Sequence, residues 1–328
     1  MRAMLCRPDR CLAPALVAGL LLAPPVGAGP LPTRNENPLL APFGVPNVLP
    51  ARLPTAGSDE AGLTLNWSNS ITVETAGDAS FHMDAEAQEW RLDWTHAFTD
   101  RVAVRAELPW RRLGGGSLDS AIEQWHDLWG LPNGDRDKVP RNDLRIEYGE
   151  GSRTLLQVAD DTSGLGDVPL SVGYQLAADD QRAVAAWLTL KAPTGQASDL
   201  SGSGALDVAL SVAAEWQFLE HWQWFGQADL TWLGDGDVLA ARQRHGVGSA
   251  MTGLTWNAWR GLDLTVQLDA NSSVFDAPTH VAGDAIVLGF GGSYRTAGGW
   301  RFDLGFGEDL TVDAAPDFTI VFGARRGF

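Results

Sequence analysis

Residues 317–328 read DFTIVFGARRGF, with Phe318, Ile320, Phe322 and Phe328 on one parity. The terminus of a soluble domain usually frays in small polar residues. This segment instead reads as a strand whose one face stays apolar to the last residue. Such a strand needs a neighbour on both edges and an apolar medium on one side.

Working outward, the same period of two recurs. In 63–74, LTLNWSNSITVE, Leu63, Leu65, Trp67, Ile71 and Val73 share one face, and Thr, Asn, Ser and Glu fill the other. Alternation returns at 90–98, 102–110, 166–177, 183–192, 206–218, 222–232, 248–258, 262–270, 285–295, 300–306 and 318–328, twelve segments in all. Connectors after the even segments are tight (TDR, ADDQR, LEH, WRG, TAGG), and those after the odd segments are long and rich in Gly, Asp, Ser and Pro. Short turns at one end and long loops at the other predict an all-β fold, an antiparallel transmembrane β-barrel of about 12 strands. The turns would be periplasmic and the loops extracellular. An even count places both ends of the barrel at the periplasmic side.

Charge placement agrees. The segments carry Glu74, Arg91, Asp93, Arg105, Glu107, Asp167, Lys191, Asp207, Glu215, Asp229, Asp263, Asp269, Arg295, Arg301 and Asp303, all on the parity opposite the large apolar side chains. A charge facing lipid costs about 2–4 kcal/mol at mid-bilayer and about 0–1 near the interface. Arg326, near the periplasmic end, is the outward exception. The inward charges are expected to line the lumen: Arg91, Asp93, Arg105, Glu107, Asp167, Lys191, Asp207, Glu215, Asp229, Asp263, Asp269, Arg301 and Asp303. Their acidic surplus predicts a passage that attracts cations. Tryptophan, fourteen in the chain, forms two bands. Trp94, Trp216, Trp222, Trp224, Trp256, Trp259 and Trp300 lie near the short turns, and Trp67, Trp90, Trp110 and Trp232 toward the loops, as two bilayer interfaces require.

The front end has the form of a secretory leader: Arg2, Arg7 and Arg10, an apolar stretch 12–26, then small residues before a cut at Gly29. Cys6 and Cys11 both fall in it, so the mature chain has no thiol. Loss of residues 1–28 removes three Arg and Asp9, taking the net charge from −17 to −19. That balance argues against a nucleic-acid partner. The expected partners are the lipid bilayer, the outer-membrane barrel-assembly machinery and a small-molecule permeant. The expected location is the outer membrane of a Gram-negative envelope. For the assembly machinery, Phe322 and Phe328 form the expected signal, with Arg326 where an aromatic would be usual.

Three stretches do not read as wall. Residues 29–60, GPLPTRNENPLLAPFGVPNVLPARLPTAGSDE, form a Pro-rich arm, either a periplasmic tail or a hatch folded into the barrel mouth. The loop 111–165 contains SLDSAIEQWHDLWGLP, where Ser120 and Glu123 suggest a capping box and Gly130 a helix end. Leu118, Ile122, Trp125 and Trp129 then share a helix face that would gate the lumen, and LRIEYGEGSRTLLQV reads as a hairpin above the membrane. A loop this long is expected to fold over or into the lumen. The run LGDGD, 233–237, lacks a full calcium-loop signature, so no metal is expected. No cofactor is expected either. The histidines are His82, His96, His126, His221, His245 and His280, and their spacing alone defines no nucleophile–base–acid set. A non-catalytic channel or uptake porin is therefore expected, with a lipase- or protease-type barrel enzyme and a structural or surface-interaction barrel as rivals.

Several stretches together resemble a family of Gram-negative outer-membrane proteins, the domain-of-unknown-function family 3187. They are RNENPLLAPFGVP (34–46), WHDLWGLPNGDRDKVPRND (125–143), TSGLGDVPLSVGYQL (162–176), LTLKAPTGQASDLSGSGALDVAL (188–210) and GEDLTVDAAPDF (307–318). The pair GLGDV and LKAPTG is also similar to outer-membrane transporters linked to aromatic-compound degradation. The resemblance implies a barrel and, loosely, passage or binding of small molecules. It brings no catalytic residue or cofactor.

Overall fold

The structure is a computed structural model that describes residues 29–130, 139–280, 283–311 and 314–328; the expected leader, 1–28, lies outside them. In chain order the elements are β1 (Asp59–Ala76), β2 (Ala79–Thr99), β3 (Val102–Gly114), α1 (Asp119–Trp129), β4 (Arg145–Glu150), β5 (Arg153–Val158) and β6 (Thr162–Leu165). They continue with β7 (Val168–Ala178), β8 (Arg182–Ala192), β9 (Asp207–Leu219), β10 (Trp222–Trp232) and β11 (Gly246–Trp259). The last are β12 (Leu262–Asn271), β13 (Ala285–Arg295), β14 (Trp300–Asp309) and β15 (Phe318–Gly327). They form a closed antiparallel barrel of twelve wall strands, one of them split into β6 and β7, with the β4–β5 hairpin as an addition at the long-loop end.

Closure happens at the stretch that opened the sequence. β15 pairs with β1 from Glu60↔Gly327 to Asn69↔Phe318. Beyond that ladder, Asp59 and Phe328 exchange both backbone hydrogen bonds, at 2.8 and 2.9 Å. Among the described residues every wall strand pairs on both sides, while β1 beyond Asn69, above the ring, pairs on one side alone; a bilayer demands such closure because it offers no water to an unpaired amide. The alternation resolves as expected: Leu92, Leu210, Leu230 and Trp232 face outward and exposed, while the inward rows are buried. Arg326, the outward exception, lies over the ring of Trp300, 5.7 Å from its centroid.

Two features depart from the expected layout. β1 and β2 join not by a long loop but by a tight turn at Gly77–Asp78, Gly77 taking φ +64°. Their hairpin rises well past its neighbours. Along β2 the large apolar residues sit on even positions at Trp90, Leu92 and Trp94, but on odd positions at Phe81, Met83 and Ala85. The strand is continuous; its apolar side switches from lipid to lumen as it leaves the bilayer, which is why alternation alone missed its upper half. The fourth wall strand is also split. β6 and β7 pair with the upper and lower parts of β3, and between them the Gly166 N–H donates to the Pro109 carbonyl at 2.8 Å. Pro109 has no N–H to give, so the ladder skips there.

The largest apolar cluster lies inside the ring at the long-loop end. Leu39, Leu40 and Phe43 of the arm pack with Phe81, Met83, Ile146, Tyr148, Leu200, Leu233 and Phe275. Phe43 meets Phe275 edge-on, centroids 5.4 Å apart. The β4–β5 hairpin pairs with upper β2 and carries Ile146 and Tyr148 over the arm as a lid.

Candidate functional site

The lumen is occupied by residues 29–58. The arm starts beside β14, where Arg301 donates to the Pro30 carbonyl at 3.0 Å. It climbs past β12, turns at residues 37–43 under the lid, and descends between β3, β10, β9 and β7 to enter β1. The hatch reading of the arm therefore describes its position, and residues 31–45 are buried throughout.

Buried backbone groups need partners, yet above its foot, where Gly57 and Ser58 pair with Ala97, the arm joins no strand. The wall supplies side-chain amides instead. Gln267, Gln227 and Gln175 accept from the backbone N–H groups of Leu31, Leu49 and Leu53 at 3.0, 2.8 and 2.8 Å. Gln227 and Gln175 also donate to the carbonyls of Asn47 and Ala51, at 3.0 and 2.9 Å. Each thus imitates one rung of a ladder in both directions. Trp187, turned inward, donates to the Pro50 carbonyl at 2.9 Å.

The arm's turn is held by a charged knot. Lys191 lies 2.5 Å from Asp167 and 2.8 Å from Asp207, contacts Ser203, and donates to the Pro42 carbonyl at 3.2 Å. Asp207 also accepts from the Gly44 N–H at 2.8 Å. A Cβ at Gly44 would lie 2.6 Å from that of Asp207, so only glycine seats this closely. Arg34 braces the turn from within, donating to the carbonyls of Val45 and Ala41. Asn35 donates to Asn271 and to the Ala314 carbonyl at 3.0 and 3.1 Å, and Asp309 orders that loop through the N–H groups of Thr311, Ala314 and Ala315. Four of the five stretches that carry the family resemblance thus converge on the arm's apex.

A second network runs down the wall of β2, β3 and β15. Arg111 pairs with Glu89, Glu89 with Arg91, Arg91 with Glu107, Glu107 with Arg105, Arg105 with Asp93, Asp93 with Arg325, and Arg325 with Glu60, all within 3.4 Å. Asn47 of the arm donates to Glu107 at 2.7 Å. Elsewhere Asp263 pairs with Arg295 and Asp303 with Arg301. Of the lumen candidates read from the sequence, Arg301 and Glu215 are partly exposed and the rest are buried. Glu60, Glu89 and Arg111 were missed because they lie beyond the segment ends drawn from apolar alternation, and Arg325 because the charge test stopped short of the last few residues of the final segment. The three glutamines were missed because a neutral polar residue on the inward parity carries no signal of its own.

At the loop end, α1 is tied through its start. Ser117 and Leu118 N–H groups donate to Glu86 at 2.7 and 2.8 Å, and Asn69 donates to Asp119 at 3.2 Å. Asn69 and Glu86 are register partners on the outward parity, opposite the face that covers the arm. Leu118 and Ile122 are buried; the side chains of Trp125 and Trp129 lie outside the described residues. Glu123 pairs with Arg141 and Ser120 lies within the helix, so no capping box forms between them. The cavities left beside the arm are about 20 and 30 Å³, room for one or two waters each.

Residues 12–328 match the family described as protein of unknown function, DUF3187. The chain belongs to that family. No curated protein sequence matches it. Among solved structures it is similar to the COG4313 outer membrane channel from Pseudomonas putida F1, with a TM-score of 0.59 and 17% identity over 86% of this chain and 100% of that one. A fainter likeness, TM-score 0.41 and 11% identity, links it to the Ralstonia pickettii toluene transporter TbuX, over 89% of this chain and 92% of that one. The first likeness shows the fold: this member of the family is an outer-membrane β-barrel.

Proposed function

We propose that the barrel is a channel for small molecules, kept closed by its own N-terminal arm. The carrying observation is the way the arm is held. Side-chain amides, charged side chains and apolar contacts hold it within the ring, and only its foot, Gly57 and Ser58, pairs with a strand, at Ala97. Contacts of that kind exchange for water or solute at small net cost, since a typical intramolecular hydrogen bond nets only about 0.5–1.5 kcal/mol. The solved channel that shares the fold agrees with this reading. The gate in this reading is the arm; α1 attaches to the outward parity of β1 and β2. A barrel enzyme is less favoured: His96 with Asp59 and His280 with Glu74 have acid partners, but no serine hydroxyl meets either ring among the described residues.

Gly44→Val tests it. The added carbons collide with Asp207 and unseat the turn without touching the wall's backbone. In planar bilayers the wild type should conduct weakly and the variant several times more, with the same heat-modifiable gel mobility. An intact variant with unchanged conductance would remove the arm as gate, and silence in both would remove the channel.

A further inference from the structure

The inner wall is not uniform in how its charges are answered. Arg91, Arg105, Arg111 and Arg325 are each paired with wall carboxylates, as are Arg295, Arg301 and Lys191. Three wall carboxylates on the β9–β12 side have no wall cation among the described residues: Glu215 on β9, Asp229 on β10 and Asp269 on β12. Asp229 receives only neutral donors, Gln227 at 2.9 Å and Ser249 at 2.8 Å, and Asp269 only Gln267 at 2.8 Å. Burying a carboxylate without a cation is costly.

The arm answers this with guanidinium groups. Arg52 Nε lies 2.8 Å from Glu215. Arg34, nine-tenths buried, lines the 30 Å³ cavity together with Asp229 and Asp269; its terminal nitrogens donate to the arm's own Val45 and Ala41 carbonyls, so it faces the two carboxylates across the cavity without an ion pair to either. The closed state therefore places one tethered guanidinium on Glu215 and a second across a small cavity from Asp229 and Asp269.

We infer that the permeant is a small organic cation of the guanidinium type, which takes over the acidic side of the lumen as the arm withdraws. The inference rests on the channel reading and adds the substrate class to it. An acid-lined passage with low-dielectric walls raises the local concentration of such a solute. The solute restores the charge that Arg34 and Arg52 carry away, so its entry and the arm's displacement favour each other.

The test compares L-arginine with L-citrulline, which has the same shape and an uncharged ureido end. Full-length protein in liposomes at low salt should pass arginine at least about tenfold faster than citrulline, and the ratio should shrink as salt is raised. Asp229→Asn with Asp269→Asn should bring the ratio toward one. Glu215→Gln, at a partly exposed site, gives a second reading should the buried pair impair folding, which gel mobility reports. Arg34→Gln with Arg52→Gln should speed arginine entry by removing its tethered competitor. A wild-type protein that passes both solutes equally would overturn the cation inference and leave the channel standing. Passage of neither, in wild type and in Gly44→Val, would sink both.

Discussion

Phe328 closes the barrel in two ways. Its backbone makes both hydrogen bonds to Asp59, and its ring stands outward and exposed at the end of the row begun by Phe318, Ile320 and Phe322. Removing it deletes two rungs at the seam, each worth about 0.5–1.5 kcal/mol, and the apolar terminus that assembly machinery is expected to read. Arg326 is different. It sits where a lipid-facing charge costs only about 0–1 kcal/mol and gains the face of Trp300. Deletion of Phe328 should therefore lower the amount of inserted barrel more than Arg326→Tyr does, measured as the heat-modifiable fraction in isolated outer membranes. Equal levels for the deletion and the wild type would remove Phe328 from assembly.

Among elements, the arm and the lid work as a pair. The β4–β5 hairpin is latched to the β10–β11 loop by Arg242, whose guanidinium lies 2.7 Å from both oxygens of Glu150, while the Tyr148 hydroxyl donates to the same carboxylate at 2.7 Å. The Arg242 hydrogen bonds, with that of Tyr148 behind them, hold the Glu150 carboxyl below its usual range. A carboxylate so lowered contributes its stabilisation above its ordinary pKa of about 4.3, and loses it as pH falls through the lower folded value. The lid should hence loosen only in acid. Open time in planar bilayers should rise as pH drops below about 4, and Arg242→Ala should flatten that step; a step unchanged in the variant would place the acid response elsewhere. The lid's contribution was half legible in the sequence. The hairpin's alternation showed, but upper β2 did not, because Phe81, Met83 and Ala85 face the lumen while Trp90, Leu92 and Trp94 face lipid on the same strand. The arm's place was open for a related reason: its prolines and lack of period mark it as no strand, and nothing in 29–58 says which surface supplies partners for its backbone.

For the whole molecule, the two halves of the sequence signal differ in what they constrain. Lipid excludes charge at a definite cost, so the outward rows fixed the strand number and which face of each strand meets lipid. A lumen accepts water, charge or protein alike, so the inward rows said only that they avoid lipid, and Gln175, Gln227 and Gln267 gave no hint that they clasp a chain. The same division separates stability from gating. All twelve wall strands are held on both edges by backbone hydrogen bonds, and the Arg111-to-Glu60 network is complete within the wall. Displacing the arm costs side-chain hydrogen bonds and the apolar contacts of Leu39, Leu40 and Phe43, but it breaks no rung of the ring. The barrel should consequently outlast its plug. Wild type and Gly44→Val should both be recovered in the outer-membrane fraction, and both should migrate faster unheated than boiled in detergent gels. Added protease should cut the variant within 29–58 while its barrel fragment remains heat-modifiable. Recovery of the wild type in the soluble periplasm, with one mobility before and after boiling, would refute the membrane barrel itself. A variant that loses the folded band would show that the arm is part of what holds the ring together.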